Sequence, residues 1–110
     1  MQVNVSQAEA GINIEVDGEL DRTTITKNLW ESLSNDKRSM IANAEYVSIS
    51  LKRVNRADTS GLAWLINAIR DIPLEKQKIK IEHIPQKLLD LAKLSNADQL
   101  ISVNESTNDE

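Results

Sequence analysis

The spacing of apolar positions changes along the chain, and each change marks an element. Residues 12–16 read I-N-I-E-V, an alternation that predicts a half-buried strand. Val3 and Val5 predict a shorter strand before it, joined through a turn at residues 9–11, and Asp17-Gly18 predicts the next turn. Asp21 is placed to cap a helix carrying Ile25, Leu29 and Leu33 on one face, with Trp30 at the margin of that stripe and assigned to the core. The pattern fades at residues 34–36, and a second helical piece takes in Met40 and Ile41. Residues 46–51, Y-V-S-I-S-L, alternate again, whereas residues 52–58 have no apolar period and predict a loop. Leu62, Leu65, Ile66 and Ile69 then follow i, i+3, i+4, i+7, the stripe of an amphipathic helix that Pro73 ends. Residues 78–82 predict another strand, Pro85 opens a helix with Leu88, Leu91 and Ala92 inward, and residues 100–103 predict a final short strand.

Strand and helix alternate in this order, which predicts an α/β domain with a partly parallel sheet. Strands covered on both faces read as continuous apolar runs, and these read half polar. The expected architecture is therefore a mixed sheet of four to five strands with helices mainly on one face. Residues 1–103 are read as one domain and the polar, acidic residues 104–110 as a disordered tail.

Composition narrows the chemistry. The 110 residues include no cysteine and one histidine, which excludes thiolate metal sites, iron–sulfur clusters, disulfides and histidine-rich metal sites. The net charge of −4 argues against binding nucleic acid through its phosphates. No apolar run approaches the roughly 20 residues that span a bilayer, and the first residues lack the basic-then-apolar form of a signal peptide. A cytoplasmic location, no cofactor and no metal are the expectation. Catalysis has little support: neither G-x-S-x-G nor a P-loop occurs, and His83 has no recognisable triad partner. Asp17, Glu19 and Asp21 cluster at a turn, where capping explains them more simply than a cation does.

Three features remain as candidates. Asp58, Thr59 and Ser60 stand where the best helix begins. Capping accounts for them; the other reading is a docking site, or a phosphorylation site at Ser60 or Thr59 near the positive end of the helix dipole. Trp64 lies about 150° from the centre of the Leu62/Leu65/Ile66/Ile69 stripe and is expected to face outward, as an aromatic at an interface or packed on a neighbouring loop. Arg53 and Arg56, with Lys52, form a basic patch in the expected loop before Asp58. It is read either as a solvated loop or as a surface for an acidic partner or a phosphate.

D-G-E-L-D after the first strand pair, V-S-I-S-L, and D-T-S-G-L-A-W-L-I opening a helix resemble the STAS domain over most of the chain, from about Ile12 to Ile101. That family includes bacterial anti-sigma factor antagonists. L-W-E at residues 29–31, R-V-N-R-A-D-T-S-G-L-A at 53–63 and L-A-K-L at 91–94 are most similar to the STAS subunits of phospholipid ABC transporters. The resemblance implies the STAS fold and a non-catalytic subunit that docks on the transporter's cytoplasmic ATPase, within a complex that holds a membrane permease, without entering the membrane itself. It implies that Thr59 is tied to function and that the start of its helix meets the ATPase. The resemblance to anti-sigma factor antagonists implies an alternative, in which Ser60 occupies the position of the phosphorylated hydroxyl and a serine kinase switches partner binding.

Overall fold

In a computed structural model the structure describes residues 1–97. The expected strand at 100–103 and the expected tail lie outside them. The elements run β1 (Gln2–Gln7), β2 (Gly11–Leu20), α1 (Leu29–Ser32), α2 (Asn35–Ala42), β3 (Tyr46–Ala57), α3 (Thr59–Asp71), β4 (Ile79–Glu82) and α4 (Gln86–Leu94), with a 3-10 turn at Lys76–Lys78. β1 and β2 form an antiparallel hairpin, while β2–β3 and β3–β4 are parallel, in the spatial order β1-β2-β3-β4.

Alternation along the strands sorts the two faces of this sheet. Ile12, Ile14 and Val16 of β2, Val47, Ile49 and Leu51 of β3, and Ile79 and Ile81 of β4 are buried. They pack against Leu29, Ile41, Leu62, Leu65, Ala68, Ile69, Leu88 and Ala92 from the helices. Between them Asn13, Glu15, Ser50, Lys80 and Glu82 point the other way and are exposed or half-buried. The helices therefore cover one face, as the half-polar strands predict.

Three local expectations are corrected. The Asp17-Gly18 turn does not form: β2 runs through it as an irregular strand, with Gly18 at φ 106° and register shifts on either side. Residues 52–57 are strand, not loop. Glu15 pairs with Ser50 but Asp17 with Arg53, and Gly18 pairs with Val54 but Glu19 with Arg56, so β3 carries an extra residue twice. The two bulges stretch the inward spacing to Leu51, Val54, Ala57, a period of three that conceals the strand. The helix expected from Asp21 is a tight turn, in which Thr24 and Ile25 N–H groups donate to Asp21 O, and helix begins only at Leu29. Three of the four residues at 23–26 are threonines and the fourth is isoleucine, all β-branched and poor in helices. Arg38 of α2 then holds α1 in place, donating from Nε to Trp30 O at 2.9 Å with its guanidinium 6.0 Å from the Trp30 ring, which is half-buried at the core margin.

Candidate docking surface at the start of α3

Because β2 and β3 are parallel, both chains leave the sheet at the same edge, and Leu20 and Ala57 sit side by side there. Asp58 ties the two exits together. Its backbone is extended, its Oδ1 accepts from Gly61 N at 3.1 Å as the N-cap of α3, and its Oδ2 accepts from Arg22 N at 3.3 Å. Its own N–H donates to Leu20 O at 3.3 Å. Gly61 allows this closeness: a Cβ there would lie 2.2 Å from Leu20 O. The capping reading of Asp58 is thus met, and the same carboxylate also fixes the Arg22 turn.

Asp21 braces that turn from within. Its buried carboxylate accepts from the Thr23 hydroxyl at 2.7 Å and the Thr23 N–H at 3.1 Å. The Thr23 hydroxyl is the main reason its pKa is lowered. Burial opposes the shift, while the Thr23 N–H, the Thr24 hydroxyl and the Arg56 charge add to it.

Thr59 is exposed and Ser60 half-buried at the first turn this brace positions. Thr59, Ala63, Ile66 and Arg70 form the outer stripe of α3, with Thr59, Ala63 and Arg70 exposed and Ile66 half-buried. Beside it a groove of about 230 Å³ is lined by Ile66, Ile69, Arg70 and Lys76, with Lys76 Nζ donating to Ile69 O at 3.0 Å. Ile66, on the predicted inward stripe, packs against the core and is half-buried, and the sequence pattern carries no sign of the groove beside it.

Trp64 does not face outward. It is 2% exposed, among the largest buried side chains, and its Nε1 has no hydrogen-bond partner among the described residues. The buried set on α3 is Gly61, Leu62, Trp64, Leu65, Ala68 and Ile69, an arc rotated by roughly 70° from the stripe drawn through the large aliphatic residues. Gly61 and Ala68 are small, so they add little to a hydrophobic pattern, yet both are buried, and at Gly61 the end of β2 comes close. α1 and α4 both pack on α3 as well, which widens the covered arc.

The basic patch is also divided. Arg53 lies on β3, not in a loop, and its Nε pairs with Glu15 Oε2 at 3.3 Å on the helix-free face of the sheet. Arg56 remains near the site, close enough to bias Asp21. It lines a cleft of about 290 Å³ with Val54, Asn55, Ala57, Pro85 and Lys87. Of the six candidate residues, the structure gathers Asp58, Thr59, Ser60 and Arg56 at one end of the sheet, and separates Arg53 and Trp64 from them. Among the described residues no group of three His, Asp or Glu is arranged to hold a metal, and no helix is long and apolar enough to cross a membrane.

The family model described as Mlab, STAS domain matches residues 3–102. The Intermembrane phospholipid transport system binding protein MlaB of Escherichia coli (strain K12) is 29% identical over 96 residues, covering 87% of this chain and 92% of that protein. The MlaB of Shigella flexneri matches to the same extent. Among solved structures, the anti-sigma factor antagonist SpoIIAA in its unphosphorylated form superposes with a TM-score of 0.53 at 12% identity, covering 84% of this chain and 83% of that one, a likeness of fold. The sheet order, the one-sided helix layer and the family match agree: this chain belongs to the MlaB group of STAS domains.

Proposed function

We propose that this chain is a non-catalytic subunit of a phospholipid ABC transporter, that it binds the cytoplasmic ATPase of that transporter, and that it supports assembly and activity of a complex containing a membrane permease. The observation that carries the reading is the similarity, over 87% of the chain, to proteins named for intermembrane phospholipid transport. The form of the site supports it. Thr59 projects from a helix start locked to two strand ends, and neither it nor Ser60 spends its hydroxyl on a side-chain hydrogen bond among the described residues. A location at the inner face of the membrane follows from docking on a cytoplasmic ATPase.

Affinity purification of the tagged full chain from its native cell, with mass identification of partners, tests this. An ABC ATPase and a permease are the expected partners, and Thr59→Glu is expected to lose both. A carboxylate in the first turn of a helix favours the helix dipole, so loss of binding would not reflect unfolding. Recovery of no ABC ATPase, or undiminished recovery with Thr59→Glu, would overturn the reading.

Ser60 favours a second reading, a phospho-switched anti-sigma factor antagonist. It occupies the first turn of α3, where a phosphate would gain from the unpaired N–H groups and the dipole. A phosphorylated species after incubation with a cognate serine kinase, and release of the partner on modification, would replace the first reading with this one.

A further inference from the structure

The cleft between the end of β3 and the start of α4 has no role in the fold described above. Val54, Ala57 and Pro85 give it apolar walls, Asn55 an amide, and Arg56 and Lys87 two positive charges. Arg56 and Lys87 are both exposed and neither makes an ion pair among the described residues. Two acids stand at and just past the end of β2 on the Arg56 side, and neither forms an ion pair with it among the described residues. Glu19 stands across the β2–β3 ladder without bonding to it, and Asp21 is already engaged by Thr23 and Thr24. The chain carries −4 overall, so this is a local reversal of sign within an acidic protein. Its volume of about 290 Å³ falls at the lower limit of the roughly 300–1,000 Å³ of small-molecule sites and suits one or two inserted side chains.

We infer that the cleft receives an acidic segment of the partner ATPase, with a Glu or Asp side chain of that partner between Arg56 and Lys87 and its aliphatic stem against Val54, Ala57 and Pro85. The inference rests on the docking reading and adds a second contact to it. Thr59 begins the helix directly after β3, so a partner over Thr59 also covers the cleft end formed by Arg56 and Ala57. The cleft supplies orientation: like charges elsewhere on this acidic chain disfavour other poses, and opposite charges here favour one.

The test uses the full chain and the purified ATPase, with affinity measured across a salt series. Arg56→Gln with Lys87→Gln is expected to weaken binding roughly 10-fold at low salt, the combined size of two partly exposed charge pairs, and to flatten the salt dependence. Lys80→Glu, on the helix-free face, lowers the net charge by the same two units and is the control. Treating the wild-type complex with a carbodiimide is expected to join Lys87 Nζ to a partner carboxylate as an amide with loss of water, read by mass spectrometry. Unchanged affinity in the double variant and no cross-link at Lys87 would overturn the inference while leaving docking intact. No binding by the wild-type chain would overturn docking and the inference together. Vesicles of phosphatidylcholine with phosphatidylglycerol form the last arm: binding by the wild-type chain that the double variant loses, with unchanged ATPase affinity, would assign the cleft to a lipid surface and reject the acidic segment.

Discussion

Gly61→Ala separates two physical expectations of opposite sign. Helix propensity alone favours alanine over glycine by up to about 1 kcal/mol, so a generic surface helix would gain stability. Here the new Cβ would stand 2.2 Å from Leu20 O, 3.0 Å from Leu20 Cγ and 3.1 Å from Leu20 C. Ordinary nonbonded contact is roughly 3.5 Å, so α3 and the end of β2 must part by about 1 Å. The obstruction is backbone and cannot rotate away. The bonds Asp58 N to Leu20 O and Arg22 N to Asp58 Oδ2, each already 3.3 Å, would then pass the limit for a hydrogen bond. Overpacking costs about 1–3 kcal/mol and each lost bond about 1 kcal/mol, against a propensity gain of about 1 kcal/mol. The net is a loss of about 2–4 kcal/mol, or roughly 10–15 °C in Tm for a domain of this size. Urea and thermal unfolding followed by circular dichroism measure it. A Tm equal to or above that of the parent would refute the argument that α3 is set against Leu20 by the absence of a side chain.

Three further outcomes follow from the same site. Asp58→Ala removes the cap on Gly61 and the acceptor for Arg22 together and is expected to cost about 2 kcal/mol in urea unfolding, while Asp58→Asn, which still caps, costs less than half of that. Trp64→Phe gives up a buried N–H that has no partner among the described residues, so it is expected to cost far less than the about 3–5 kcal/mol of Trp64→Ala; in a Trp30→Phe background, acrylamide should barely quench Trp64. Asp21 has a folded pKa below its unfolded value near 3.9, so its contribution is complete above that pH and fades as pH falls through the folded pKa; the stability gap between the parent and Asp21→Asn, measured by urea unfolding from pH 5 to pH 2, should narrow with acid.

What the sequence shows of this fold depends on how regular each element is. β1, β2 up to Val16 and β3 up to Leu51 alternate strictly because one face is core and the other is water, and both strand and face can be read directly. Past Leu51 the two bulges replace period two by period three, and the strand passes for a loop. Asp58 announces its capping role because few residue types can serve there, whereas its second bond, to Arg22 N, joins residues 36 apart and leaves no local trace. Trp64 was misplaced for a related reason. Hydrophobic patterning weighs large aliphatic residues, but the close approach of α3 to its neighbours is marked by Gly61 and Ala68.

The burial of Trp64 changes what kind of interface the α3 start can form. An exposed indole would have been a single deep anchor of the type that dominates many interfaces. The face that remains combines a threonine, an alanine and a half-buried isoleucine on α3, with a shallow apolar groove on one side and a cationic cleft at its start. Small residues at Thr59 and Ala63 let a partner's backbone approach closely. The indole inside, the cap at Asp58 and the missing side chain at Gly61 hold that surface rigid before any partner arrives, which lowers the ordering cost of association. In the proposed docking, binding through such a surface draws on shape along the outer stripe of α3 and on charge at one end. Single truncations along the stripe should therefore each cost little, while Thr59→Glu, which puts a charge and extra bulk at its N-terminal end beside the cleft, should cost much more.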